Sequence, residues 1–382
     1  MNILFLIYHG FSDVSGISKK IKYQIKGLRE GGHQVFVCTY GFDSKGHRVR
    51  FIDDEPLQDF GKGALAALRS KYSYQSVVDF AKTNRVDFVY ARSFHNANPF
   101  TVKMFRQFRE AGIRSVIEIP TYPYDQEYVG FPFMTRMKVK VDKLFRRKLA
   151  SLTDGIVTFT EDKEIFGQKT IRISNGIDFD AIPLRHPKRK ATDSPFHVLA
   201  VAEVHYWHGL DRFIAGLGEY YNKRGTREIF FHVIGGVGPS EMYDSQHAPG
   251  FHELIEKYGL TERVVFRGQL FGSELDRWFD ECQFAVGSLG RHRSGITHIK
   301  TLKNREYAVR GIPFIYSEHD GDFDNQPYVM KVPADESPID IEQVLRFAET
   351  VEIQPDAIRK TVEPLSWKNQ MDKVINSING KR

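Results

Sequence analysis

The sequence predicts an α/β protein built from two Rossmann-like units, one in each half of the chain. Short apolar runs alternate with longer amphipathic stretches, which is the pattern of parallel strands covered by helices on both faces. This alternation stops at a polar, proline-containing stretch, 183–190, and then starts again. A length of 382 residues also suits two domains of roughly 100–200 residues each.

Each element follows from its local pattern of residues. In the first half, β-branched and aromatic runs predict strands, and amphipathic spacing predicts the helices between them. The strands are at 3–8, 34–40, 88–91, 115–119 and 155–160, and the helices at about 17–30, 74–84, 99–111 and 134–151. The second half has strands at 196–202, 229–234, 264–267, 284–288 and 313–316, with helices at about 209–224, 250–258, 273–280, 303–310 and 340–350.

The domain boundaries follow from these elements. We predict a first domain at 1–182, a linker at 183–195 and a second domain at 196–364. An amphipathic C-terminal helix in 365–382 is expected to pack across the domain junction.

Composition excludes several classes of protein. At 41% hydrophobic and 27% charged residues, the chain is globular rather than fibrous or disordered. The apolar run at 1–8 is too short for a signal peptide, and no run approaches the roughly 18 apolar residues of a membrane-spanning helix. Two cysteines, Cys38 and Cys282, cannot build a disulfide framework, so we expect a cytoplasmic protein.

The two halves carry net charges of opposite sign. Residues 1–190 contain 32 Lys and Arg against 20 Asp and Glu, a net charge of +12, whereas residues 191–382 contain 22 against 28, a net charge of −6. The first half is therefore expected to attract an anionic partner such as phosphates, nucleic acid or a lipid surface.

Three loops of the first half could carry chemistry. The loop before the first helix contains Gly16, and glycine at a helix start lets the backbone approach an anion; an ordinary turn with a serine cap is the alternative. Arg92 and His95 follow one predicted strand, and Glu118 lies at the end of the next. They predict a catalytic cluster that orients hydroxyls or places charge, and a structural salt bridge between Arg92 and Glu118 is the competing interpretation.

The second half places glycines and cations after its strands. His208 follows the first strand of this half, and Gly236 and Gly238 follow the second. Glu306 lies in a predicted helix behind a basic segment, where cations beside a helix start suit a diphosphate and one acid suits a sugar hydroxyl. The cations of the segment are Arg291, Arg293, Lys300, Lys303 and Arg305. A solvated basic loop is the alternative.

Four motifs in order resemble family 4 of the retaining glycosyltransferases, which has the two-domain GT-B fold. They are Asn175-Gly176-Ile177-Asp178, Gly236-Val237-Gly238-Pro239, Glu306-Tyr307-Ala308 with Gly311-Ile312-Pro313, and Leu365-Ser366-Trp367-Lys368. Within the family the chain is most similar to bacterial polysaccharide-assembly enzymes, with further likeness in Trp207-His208-Gly209-Leu210-Asp211-Arg212. The resemblance implies two Rossmann-like domains facing across a cleft.

The resemblance also implies an activity and a set of site residues. It implies transfer of a sugar, with retention, from a nucleoside-diphosphate sugar bound by the second domain to a glycan or polyprenyl-linked acceptor bound by the first. Glu306 matches the family acid that contacts the ribose, and the first acid of that pair falls at His298. Glu203 and His208 replace the usual diphosphate-binding cations, so the charge is expected from Arg293 and Lys303, with help from Arg291 and Lys300.

Two other functions compete with the transferase. A sugar-nucleotide epimerase shares the GT-B fold, and a non-catalytic nucleic-acid-binding protein could use the basic first half. We expect no nucleic-acid partner, because aromatic residues are not interleaved with the cations on a strand face. We also expect no metal cofactor, because the chain contains no Asp-X-Asp motif and protein cations can neutralise the diphosphate.

A basic amphipathic segment at 131–148 predicts peripheral binding to the inner face of the cell membrane. It contains seven Lys and Arg against one Asp, with apolar residues at helical spacing. The alternative is a helix whose apolar stripe faces the sheet and whose basic face is solvated.

Overall fold

The computed structural model describes residues 1–12, 16–93, 95–125, 132–188, 194–237 and 250–380. The chain forms two compact units. Unit 1 comprises Met1–Gly176 together with Leu365–Arg382, and unit 2 comprises Ile177–Pro364. Unit 1 therefore ends before residue 182, where the sequence placed the first boundary.

The start of the predicted linker is held by unit 2. Arg185 donates through its Nη1 to the carbonyl of Cys282 at 2.8 Å and through its Nε to the carbonyl of Gly311 at 2.9 Å. These hydrogen bonds to two strand-flanking carbonyls fix a stretch that has no strand or helix of its own.

Unit 1 contains a nine-stranded sheet in which the strands predicted from sequence form the parallel centre. The strands are β1 (Asn2–Leu6), β2 (Gln34–Phe42), β3 (Arg48–Ile52), β4 (Glu55–Gly61), β5 (Phe88–Arg92), β6 (Arg114–Ile119), β7 (Gly155–Thr158), β8 (Glu164–Ile165) and β9 (Gln168–Arg172). Their order is β4-β3-β2-β1-β5-β6-β7-β9-β8. Among the described residues, the antiparallel pairs are β2 with β3, β3 with β4 and β8 with β9, and all three pairs lie toward the edges of the sheet.

Among the described residues of 1–176, five helices pack around this sheet. They are α1 (Gly16–Glu30), α2 (Gly63–Tyr72), α3 (Gln75–Thr83), α4 (Pro99–Glu110) and α5 (Phe133–Ala150). α4 begins at a capping box, because the Asn98 side chain accepts from the Thr101 backbone N–H while the Thr101 hydroxyl accepts from the Asn98 N–H. Because the central strands are parallel, the loops that lead from these strands into the helices lie at the carboxyl edge of the sheet.

Unit 2 contains a six-stranded, fully parallel sheet. Its strands are β10 (Phe196–Val201), β11 (Ile229–Ile234), β12 (Val264–Gly268), β13 (Phe284–Val286), β14 (Phe314–Tyr316) and β15 (Val329–Lys331), in the order β12-β11-β10-β13-β14-β15. The helices are α6 (Leu210–Asn222), α7 (Phe251–Tyr258), α8 (Gly272–Glu281), α9 (Leu302–Arg310), α10 (Ile341–Thr350) and α11 (Pro355–Thr361). The doubly wound arrangement predicted for each half is confirmed.

The C-terminal helix α12 (Trp367–Asn379) returns to unit 1 and packs against α1. Its buried side includes Trp367, Met371 and Val374, which join the core formed by β1 and β5. Gly27 of α1 lets the two helices touch, since a Cβ there would lie 2.7 Å from the backbone carbon of Trp367.

No helix among the described residues is both long and apolar enough to cross a membrane.

Gly27→Ala tests the contact between α1 and α12. Helix propensity alone favours alanine by about 1 kcal/mol. We expect the opposite sign, a loss of about 1–3 kcal/mol of unfolding free energy, because the added methyl meets rigid backbone of Trp367. Denaturant unfolding measures it. Gly16→Ala, on the same helix with no atom within 4 Å of the added Cβ, is the control; equal stability of the two variants would contradict this contact.

Candidate active site

Loops that follow three strands of unit 2 meet at the carboxyl edge of its sheet. The backbone N–H of Leu289, after β13, donates to the carbonyl of His208, after β10, at 2.8 Å. A parallel bridge also joins Val204, after β10, to Val237, after β11. Parallel α/β sheets bind ligands at this edge, so the candidate site of unit 2 lies here.

Gly209 sets the spacing of two of these loops. Its φ of +66° is in the left-handed region, and a Cβ there would lie 2.6 Å from the carbonyl carbon of Leu289 and 2.7 Å from the nitrogen of Gly290. Only glycine allows this approach. The result is that His208 lies beside the loop that carries Arg291.

Positive charge is concentrated around Lys303, which is in the first turn of α9. Burial and the charge of Arg291 lower the pKa of the Lys303 ammonium to about 7, and the field of Glu318 only partly opposes them. Neighbouring atoms desolvate the Lys303 ammonium, but the residue is partly exposed, so a ligand can reach it. An anion bound here would gain from both cations.

His208 is the neutral member of this cationic cluster. Burial, followed by the charges of Lys303 and Arg291, lowers the pKa of its imidazole to about 2. Its Nδ1 accepts from the backbone N–H of His205 at 3.1 Å, so Nε2 carries the ring proton and can donate. The cluster of Lys303, Arg291 and His208 therefore offers two charges and one neutral donor.

Buried acceptor atoms lie next to the cationic cluster. The Glu318 carboxyl group, directly after β14, is fully buried, and its Oε1 accepts from the backbone N–H of His292 at 2.9 Å. Among the described residues, the Oε2 of Glu318, the Oγ of Ser288 and the Oδ1 of Asn304 are buried without a hydrogen-bond partner. Such atoms are satisfied when a water or a ligand hydroxyl donates to them.

Arg293 is bound by the protein itself. Its guanidinium donates to both carboxylate oxygens of Asp211 at 2.8 and 2.7 Å, to Glu336, and to the carbonyl of Tyr206 at 2.7 Å. Burial disfavours the charge, but the bonds to Asp211 and Glu336 outweigh it and raise the pKa of Arg293. Arg293 therefore fastens its loop to α6, and these contacts do not support the predicted role in holding a diphosphate.

Glu306 is also engaged in an ion pair. It accepts from the Nε of Arg310, one helical turn later, at 3.1 Å, and Arg310 donates to Asp276 of α8 at 2.7 Å. The Glu306 side chain is 29% exposed. It therefore remains accessible at one side, and its role toward a ribose stays a prediction.

The other predicted donor-site residues lie at separate positions. His298 is exposed, with its Nδ1 3.1 Å from the Thr297 hydroxyl, and Lys300 is partly exposed. Gly236 lies after β11, where a Cβ would be 3.5 Å from Gln269. Gly16 begins α1 in unit 1 and has open space around it. Gly238 lies outside the described residues.

In unit 1 the structure brings Arg92 and Glu118 together in the core. The fully buried Glu118 carboxylate accepts from Arg92 at 2.7 Å, from the Tyr90 hydroxyl at 2.5 Å and from the Gln24 amide at 2.6 Å. Burial raises the pKa of Glu118, but Arg92 and the other partners outweigh it and lower the pKa overall. These contacts match the structural salt bridge that was the competing interpretation.

His95, three residues after Arg92, has a different environment. It adopts a positive φ of 47° and stacks on Tyr124 with ring centroids 3.8 Å apart. Burial, then the charge of Lys138, lowers the pKa of His95 to about 4. A cavity of about 30 Å³, large enough for a water molecule, lies nearby. Its polar lining comprises Tyr8, Arg92, Ser93, Asn96, Tyr124, Asp142 and Arg146.

Sequence reasoning missed Glu318 and overlooked the pairing of Arg293. An acid directly after a buried strand is a signal that was present for Glu318 in the sequence. The partners of Arg293 gave no such signal, because Asp211 and Glu336 are distant along the chain and come close only through the parallel topology.

Among the described residues, one group places three possible metal ligands close together. The ligand atoms of Asp43 and His47, in the β2–β3 turn of unit 1, and of Asp59, in β4, lie within 4.8 Å of one another. The His47 Nδ1 is 2.8 Å from Asp59, and Asp43 accepts the backbone N–H groups of Lys45 and His47. Turn formation and a surface ion pair account for these contacts.

Several glycosyltransferases are among the solved structures that resemble this chain. A sucrose-phosphate synthase from Thermosynechococcus elongatus aligns at 15% identity and a TM-score of 0.61, covering 100% of both chains. The catalytic domain of starch synthase IV from Arabidopsis thaliana, bound to ADP and acarbose, aligns at 11% identity and a TM-score of 0.58, covering 99% of this chain and 98% of that one. WaaG, a glycosyltransferase involved in lipopolysaccharide biosynthesis, aligns at 14% and 0.55, covering 100% of both.

No family model and no curated protein sequence matches the chain. At these identities the likeness to solved structures shows the fold alone. The chain has the GT-B fold, which confirms the fold class predicted from sequence.

Glu118→Gln tests whether the buried ion pair holds unit 1 together. We expect a loss of about 3 kcal/mol of unfolding free energy near neutral pH, because Arg92 keeps a buried charge without its carboxylate. The pKa of Glu118 is lowered in the fold, so its contribution is complete above the ordinary value of 4.5 and is lost as the pH falls through the folded pKa. Urea unfolding across pH measures both.

The control is Glu161→Gln, which breaks an exposed pair with Arg172 and should change little. If Glu118→Gln is as stable as this control, Glu118 is not a structural residue, and the predicted catalytic role of Glu118 becomes the better interpretation.

Proposed function

We propose that the protein is a glycosyltransferase that moves a sugar from a nucleoside-diphosphate sugar to an acceptor. The observation that carries this proposal is the cationic cluster of Lys303, Arg291 and His208, placed at the carboxyl edge of the unit 2 sheet in a GT-B fold. A lysine whose pKa is lowered beside a second cation is typical of a functional site, and such a pair of cations is suited to binding an anion.

The cationic cluster suits the chemistry of the donor. Cleavage of the bond between sugar and diphosphate leaves negative charge on the departing phosphate oxygens. Two cations and one neutral imidazole donor stabilise that charge more in the transition state than in the bound donor, and so they lower the barrier. We propose that these protein groups, rather than a metal ion, neutralise the diphosphate.

We propose that acids and buried acceptor atoms at the carboxyl edge of the unit 2 sheet bind the hydroxyl groups of the donor. We assign the ribose to Glu306, following its match to the family acid, with Arg310 holding the carboxylate in place. The buried oxygens of Glu318 and Ser288 need donors, which hydroxyl groups of a sugar would supply.

We assign the acceptor, a glycan or a polyprenyl-linked glycan, to unit 1, and we propose that transfer retains the anomeric configuration. Tyr124, which lines the small cavity, and His95, which stacks on Tyr124, are the unit 1 side chains that we assign to the acceptor. One structural neighbour, WaaG, is named for lipopolysaccharide biosynthesis, and this likeness supports our proposal that the protein acts in surface glycoconjugate assembly in the cytoplasm.

Replacing Lys303 with methionine tests the donor site. Nucleoside-diphosphate affinity should fall by about tenfold or more, while nucleoside affinity stays near wild type, because only the diphosphate loses a charged partner.

A calorimetric screen of UDP, GDP, ADP and dTDP on wild type selects the base. The corresponding nucleotide sugar with candidate acceptors then tests transfer, with and without a chelator, and release of free sugar without acceptor would favour the epimerase.

Arg293→Met is the matched control, since it also removes one cation from the same segment. It should lower stability, because Asp211 is left without its partner, but it should not select between diphosphate and nucleoside. If Arg293→Met selectively weakens diphosphate binding and Lys303→Met does not, the diphosphate site is assigned to the wrong cations.

The pH dependence of binding gives a separate test of Lys303. In the free protein the pKa of Lys303 is about 7, below its ordinary value of 10.5, so part of the population is neutral above pH 7. A bound diphosphate stabilises the ammonium and raises this pKa. We therefore expect affinity to fall as pH rises above about 7, with net proton uptake on binding. Titration calorimetry in two buffers of different ionisation enthalpy measures it, and Lys303→Met should lose that proton uptake.

A further inference from the structure

The outer face of α5 exposes apolar side chains to solvent. Phe133 is 65% exposed, and Met134 and Leu144 are each 77% exposed. Together with Met137, they recur at helical spacing along one side of the helix, while Val139 and Leu149 face the interior. The alternative in which the apolar stripe covers the sheet is therefore wrong for most of this stripe.

A second helix, α2, extends the same kind of surface. Leu65 is 59% exposed and Leu68 is 55% exposed, although a helix packed on a sheet would bury such residues. Tyr72 at the end of α2 contacts Phe100 at the start of α4, with ring centroids 5.1 Å apart. α4 in turn packs against α5.

A charge effect between two lysines indicates that α2 and α5 lie close together. The charge of Lys71, on α2, acts on Lys138, on α5, and after burial it helps to lower the pKa of Lys138 to about 8. The exposed apolar side chains of α2 and α5 and the cations beside them, linked through the Tyr72–Phe100 contact and the packing of α4 on α5, form one surface. We call this the α2–α5 face.

The α2–α5 face is rimmed by cations with no exposed acid on either helix. α2 contains no Asp or Glu, and the single acid of α5, Asp142, is 2% exposed and accepts from Tyr124 and from the Ala97 backbone N–H. The exposed cations are Lys62, Arg69 and Lys71 around α2, and Arg136, Lys138, Lys140, Lys143, Arg147 and Lys148 on α5.

We infer that the α2–α5 face docks on an anionic lipid bilayer, with α2 and α5 both entering the interface. Exposed Leu, Met and Phe side chains gain by entering the acyl boundary, and the surrounding cations gain from the anionic headgroups. A second copy of the chain is disfavoured as the occupant, because two identical faces would bring like charges together. Nucleic acid is disfavoured because most of the exposed apolar residues are aliphatic and offer no stacking surface.

The position of the face has a consequence for the acceptor, which rests on the proposed function. β4 runs parallel to β2, because β3 is antiparallel to both, so α2 and α5 both begin at the carboxyl edge of the unit 1 sheet. Docking through this face would place the edge that we assign to the acceptor beside the membrane. A lipid-linked acceptor could then stay in the bilayer during transfer.

Flotation with vesicles tests the docking itself and needs no activity. Wild type should float with vesicles of phosphatidylglycerol and phosphatidylcholine at low salt, bind less at 0.5 M NaCl, and stay behind with phosphatidylcholine alone. Leu65→Ser with Leu68→Ser, on α2, and Met134→Ser with Leu144→Ser, on α5, should each weaken partitioning by at least about tenfold. Arg136→Gln with Lys140→Gln and Arg147→Gln should also weaken it.

Matched controls use exposed residues of other surfaces. Phe42→Ser with Phe271→Ser, and Lys223→Gln with Lys360→Gln, should bind vesicles like wild type. Circular dichroism and melting temperature confirm that each variant is folded.

Three results would overturn the inference. In the first, wild type does not float with anionic vesicles at low salt. In the second, the α2 variants bind vesicles like wild type. In the third, wild type forms a concentration-dependent dimer that the α2 and α5 substitutions dissociate. Nucleotide affinity is measured on the same variants. Loss of vesicle binding with normal diphosphate affinity separates this inference from the donor site, and failure of the donor site leaves it intact.

Discussion

The cost of burying charge decides which cations of this chain are structural and which can meet a ligand. A buried guanidinium is stable only when carboxylates or carbonyls take up its donors. Arg305 meets this condition through Asp320, at 2.8 Å, and Arg212 through the carbonyls of Leu289 and Pro333. These contacts join residues that are between 15 and 121 positions apart in sequence, so satisfying the charge also fixes the loops at the carboxyl edge of the unit 2 sheet.

Lys303 differs from those arginines in a way that points to function. It lies among loops joined by the paired arginines, yet its own ammonium is desolvated beside Arg291, and burial followed by the charge of Arg291 lowers its pKa against the opposing field of Glu318. A protein gains no stability from such an arrangement. Rigid placement of uncompensated charge is, however, what stabilisation of a developing anion requires, since the groups need no rearrangement when the charge appears.

Periodicity was enough to predict the parallel sheets, because buried parallel strands are continuous apolar runs and their covering helices are amphipathic. It failed for α2 and for the β3–β4 hairpin. β4 has no buried residue, and the leucines of α2 face solvent, so neither follows the rule that apolar residues point inward. The failure at α2 is informative, because a helix that breaks this rule is one whose apolar residues have another partner.

Charge totals were a poor guide to the site for the same physical reason. Residues 191–382 carry a net charge of −6, yet this half contains the cationic cluster, since several of its acids pair with Arg293, Arg305 and Arg310. In the first half the excess of +12 could not reveal where the charge is available, because Arg92 is neutralised inside the core. The cations of α2 and α5 remain at the surface with no exposed acid on their helices. The sites that we propose in both units therefore follow from local imbalance of charge, which depends on contacts between distant residues and becomes visible only in the folded chain.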